Sequence, residues 1–124
     1  FVFVQIGVID AGVFKGVDEI KALQTQINEE AEKYVKMVSS YGYYAESRVA
    51  IGTDVVDEIA KLAPDILKRF PNAVFFGGQI VIPNESIFSR WLHNYTVFAS
   101  QKKLYAECIP FVVLPIRVDW ECKV

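Results

Sequence analysis

The chain has 124 residues, a net charge of −2 and a hydrophobic fraction of 52%. That length sets one domain that buries roughly two thirds of its unfolded surface. The near-neutral, slightly acidic balance leaves no electrostatic basis for binding nucleic acid. No stretch reaches the roughly 18 uninterrupted apolar residues of a membrane span.

The first run, residues 1–9, is almost continuously apolar, as a strand buried on both faces is. It opens directly on Phe1, and a bare hydrophobic start predicts a piece excised from a longer polypeptide. Asp10-Ala11-Gly12 then leads into a loop bracketed by Gly12 and Gly16. Val17, Ile20, Leu23, Ile27, Ala31, Tyr34 and Val38 recur every three or four residues, which is one helical face. Asp18 and Glu19 suit its positive end, and Gly42 reads as a left-handed cap. Glu29, Glu30 and Glu32 read as its solvated side.

Residues 43–51 form a half-polar second strand, as expected at a sheet edge. Gly52-Thr53-Asp54 turns into a helix with Thr53 as the expected N-cap. Val55, Val56, Ile59, Leu62, Ala63 and Ile66 make its buried stripe. Pro64 predicts a kink there, or the first turn of a second short helix. Residues 73–77 are the third strand, with Gly77-Gly78 at its carboxyl end and a loop over 79–85. The last helix spans about 86–108 and the final strand 110–118, with a tail over 119–124.

Strands alternating with helices predict an α/β domain with a parallel sheet and helical crossovers. Cys108 is expected in the core where the last helix meets the last strand, and Cys122 in the tail. With no ladder of cysteine spacings, a reducing, cytosolic setting is the simplest expectation. The single histidine, His93, has neither a second His nor a carboxylate one turn away, so no metal site or triad is predicted.

Gly52-Thr53-Asp54 with Val56 and Ile59 behind it, Val74-Phe75-Phe76-Gly77-Gly78, Arg90, and Pro110-Phe111-Val112-Val113-Leu114-Pro115-Ile116-Arg117 together resemble the universal stress protein family. The resemblance implies a three-layer fold: a mainly parallel four-stranded sheet in the order 2-1-3-4 with helices on both faces. That family's first strand–helix unit would be missing, and residues 1–124 would be a single domain. Four further segments are similar to a cytosolic domain that follows the transmembrane region of some bacterial amino-acid permeases. Those permeases belong to the amino acid–polyamine–organocation superfamily. The segments are 8–16, 49–56, Leu92-His93-Asn94-Tyr95-Thr96 and 113–118.

The resemblance implies a non-catalytic regulatory or interaction domain on the cytoplasmic face of the inner membrane, with the transmembrane part of a transporter as partner. The alternative is a stand-alone nucleotide-binding module. Nucleotide-binding members of the family hold ATP phosphates on glycine amides at the sheet's carboxyl rim. The matching positions are Asp10, Gly52, Gly77 and Gly78, with Asn94 and Thr96 where a second glycine element would stand. Past Gly78 the chain has no glycine, so neither ATP nor AMP is expected as a resident cofactor. An enzyme of the related hydrolase fold needs a glycine-rich pyrophosphate loop or paired histidines, and the expectation is no catalysis.

Phe88, Trp91, Leu92 and Tyr95 cover more of the last helix than one stripe on a sheet can bury. They are the expected interface, and self-association through this belt or through strand edges is expected.

Overall fold

The computed structural model describes residues 1–10, 12, 16–81 and 87–117; within these, the side chains of Ile80, Val81, residues 87–94 and Arg117 are not described. The order is β1 (Val2–Val8), α1 (Val17–Ser40), β2 (Glu46–Gly52), α2 (Val55–Arg69), β3 (Phe75–Val81), α3 (Ile87–Ala106) and β4 (Phe111–Arg117). The predicted alternation is therefore present. The tail over 119–124, including Cys122, lies outside the described residues.

By its internal contacts the chain divides into two compact units, Phe1–Leu62 and Ala63–Val124. Each unit holds a two-stranded parallel sheet: β1 with β2 in the first, β3 with β4 in the second. The expected order 2-1-3-4 contains both pairs, but among the described residues no ladder joins β1 to β3.

In the first unit the register runs from Val2 opposite Glu46 to Val8 opposite Gly52. Helix α1 packs on both strands, burying Ile27 and Ala31 from the predicted stripe. Contact is close because β1 carries Gly7: a Cβ there would lie 3.0 Å from Ile27 Cδ1 and 3.3 Å from Leu23 Cδ2. The stripe stops being buried at Tyr34, whose ring instead stacks on Phe3 with centroids 5.5 Å apart. Gly42 has φ 84°, and its N–H donates to the Ser39 carbonyl at 3.0 Å, closing α1 as predicted. Gln26 and Gln5 donate to the Glu30 carboxylate at 3.2 and 2.7 Å, and these bonds hold its pKa below the usual carboxylate range. A carboxylate stabilised in this way supports the fold at neutral pH and loses that support as pH falls through its lowered pKa.

Helix α2 begins one residue later than expected. The Asp57 N–H donates to Asp54 Oδ1 at 3.0 Å, so Asp54 is the N-cap and Thr53 lies exposed before it. Pro64 sits inside one continuous helix, neither ending it nor starting a second. It is exposed, while Ala63 and Ile66 are buried.

In the second unit the register runs from Phe75 opposite Phe111 to Val81 opposite Arg117. Helix α3 packs on both strands. Leu104, Ile109, Phe111 and Ser100 are buried, and the Ser100 hydroxyl is satisfied by the Thr96 carbonyl at 2.7 Å. The third strand is longer than predicted: it starts at Phe75 and runs through Val81, so positions 79–81 are ladder and not loop.

Helix α3 ends in a two-bond cap. Ile109 N–H reaches back to the Leu104 carbonyl at 2.9 Å and Cys108 N–H to the Tyr105 carbonyl at 3.0 Å. Cys108 holds the left-handed position at φ 60°, which glycine normally fills, and it is exposed where the sequence predicts core. A side chain in that conformation costs about 1–2 kcal/mol, and the freedom glycine regains when unfolded takes back part of the gain. Cys108→Gly is therefore expected to stabilise the second unit by about 1 kcal/mol, raising the thermal midpoint by a few degrees. Cys108→Val should lower it, and both are read by circular dichroism melts.

Candidate functional site

Parallel α/β sheets bind ligands at the carboxyl ends of their strands. In the first unit that rim carries Asp10 and Gly52, and the Ile9 N–H donates to the Gly52 carbonyl at 2.9 Å. Asp10 is exposed and its Oδ1 accepts the Gly12 N–H at 2.9 Å, forming an Asx turn. The Gly52 Cα is already covered. A Cβ built there would meet the Glu58 side chain at 2.5–2.7 Å. Glu58, in the first turn of α2, also pairs with Lys61 one turn further on at 2.6 Å. The approach to the Gly52 backbone is therefore occupied by an ion-paired carboxylate.

Gly77 and Gly78 lie in the second unit, in the middle of β3 opposite Val113 and Leu114, not at its carboxyl end. The Phe75 N–H donates to the Pro110 carbonyl at 3.0 Å, so Phe75, Gly77 and Gln79 direct their backbone groups at β4. The Gly77 amide is thus committed to the ladder. A Cβ on Gly77 would lie 2.6 Å from Phe111 Cζ and 3.3 Å from Val97 Cγ1, and one on Gly78 would collide with Ile116 Cδ1. Each missing side chain is replaced by a neighbour's hydrocarbon. Both glycines accommodate packing, and the Gly77 amide is not free to hold a phosphate.

Thr96 is half-buried on α3 and its carbonyl holds Ser100. The side chains of Asn94, Phe88, Trp91 and Leu92 lie outside the described residues, as does that of His93. Of the expected interface belt only Tyr95 is described, and it is exposed. Phe98 and Tyr105 are exposed on the same side of α3, with Lys102 between them. Among the described residues, no group of three or more His, Cys, Asp or Glu side chains could hold a metal, and no helix is long and apolar enough to cross a membrane.

Two surfaces escape a reading by sequence alone. On the first unit Phe1 and Tyr43 meet edge to face at 5.8 Å, beside exposed Tyr41 and Tyr44. Tyr44 Oη donates to Glu46 Oε2 at 2.5 Å, and Glu46 also pairs with Arg48 at 2.7 Å, so this edge is aromatic around a charged centre. On the second unit the face of the β3–β4 sheet opposite Phe111 is open: Phe76 is 62% exposed, and Val112, Leu114 and Ile116 are also exposed. Sequence alone does not single this face out, because 75, 111 and 113 on the covered side are as apolar as 76, 112, 114 and 116.

No family model matches the chain, and neither a curated protein nor a solved structure matches it.

Proposed function

We propose that the chain is a non-catalytic regulatory or interaction domain of a membrane amino-acid transporter. It would work by contact with that transporter's transmembrane part on the cytoplasmic face of the inner membrane. The observation that carries the interaction reading is the bare hydrocarbon face of β3–β4, centred on Phe76 and Leu114. Parallel sheets normally bury both faces, so an open one is a surface waiting for a partner. The transporter rests on the sequence similarity over 8–16, 49–56, 92–96 and 113–118.

The finer architecture belongs to the same proposal. The two strand pairs would be halves of one parallel sheet in the order 2-1-3-4 with helices on both faces, the universal stress protein plan without its first strand–helix unit. Isolated two-stranded parallel sheets are marginal, which favours joining the pairs. Homo-oligomerisation is part of this reading.

Thermal-shift titration with ATP and AMP tests the function. The interaction reading expects no stabilisation at sub-millimolar nucleotide, since Gly52 is covered by Glu58 and Gly77 by Phe111. A nucleotide-binding module would gain about 2.7 kcal/mol at a ligand concentration 100 times its Kd. A shift of that order would replace the interaction reading with the nucleotide one. The transporter reading further expects membrane-spanning segments encoded upstream in the same reading frame, and a frame without them overturns it.

A further inference from the structure

We draw no further inference here: the strongest candidate, the exposed aromatic patch of Phe1, Tyr41, Tyr43 and Tyr44 at the amino-terminal end of the β1–β2 sheet, carries nothing because nothing in the structure shows what covers it.

Discussion

Leu104→Ala is expected to cost about 3 kcal/mol, the largest loss from any single truncation proposed here. Leu104 is fully buried in the second unit, so its removal strips hydrocarbon from the core and leaves a cavity. Transfer and cavity terms together put buried Leu→Ala changes at about 2–5 kcal/mol. Leu104 also occupies the C3 position of the α3 cap: its carbonyl accepts Ile109 N–H, and the apolar pairing that accompanies such caps joins these two positions. Ile109 is itself buried, which ties the helix end to the first residues of β4. Loss of about 3 kcal/mol is a large part of the roughly 5–15 kcal/mol that holds an ordinary domain. Urea denaturation reads it directly, with an unchanged m-value showing that the unfolded surface is the same. Leu104→Met should retain most of the stability, because volume is kept. A loss below about 1 kcal/mol for Leu104→Ala would mean that the α3–β4 junction is not a packed core.

How much of this was legible in the sequence differs from element to element, for physical reasons. The α1 stripe through Ile27 and Ala31 was readable because a 3.6-residue period leaves an unambiguous spacing. The left-handed Gly42 was readable because few other residues tolerate that backbone. The α2 cap was not, since Thr53 and Asp54 are both competent and only the backbone decides which reaches the Asp57 amide. Pro64 illustrates the limit of a propensity argument. It removes one helical bond, yet the buried Ala63 and Ile66 on either side of it hold the helix continuous.

The candidate site shows the same division. Asp10 and Gly52 were readable as rim positions, because strand ends follow from the apolar runs. That Glu58 folds back over Gly52 was not, since it depends on where the first turn of α2 lands. The open sheet face was hidden for a different reason: an apolar residue at 76 or 114 reads identically whether or not a layer covers it. Parallel pairing within each unit follows from apolar runs separated by helices. Which pair joins which does not, because no local signal distinguishes β1–β3 from other pairings.

Gly77→Ala carries the second large effect and separates two meanings of a glycine pair. If Gly77 served a ligand, a methyl group there would weaken binding and leave stability almost untouched. The geometry says otherwise. The added Cβ would sit 2.6 Å from Phe111 Cζ and 2.9 Å from Cε1, closer than any real contact, with Val97 Cγ1 at 3.3 Å on another side. Phe111 cannot swing clear cheaply, because its ring is buried, its carbonyl accepts Tyr105 Oη, and the preceding Pro110 carbonyl is tied to the Phe75 N–H. Overpacking of this kind costs about 1–3 kcal/mol, and about 2 kcal/mol is expected here. The partner must then show coupling. Phe111→Leu alone leaves a void beside Gly77, whereas Gly77→Ala with Phe111→Leu lets the methyl occupy part of the space the ring gives up. The double variant should thus be more stable than the sum of the two single losses, by on the order of 1 kcal/mol. Additive losses would place the Phe111 ring elsewhere, and a neutral Gly77→Ala would return the glycine pair to consideration as a backbone surface kept bare for a ligand.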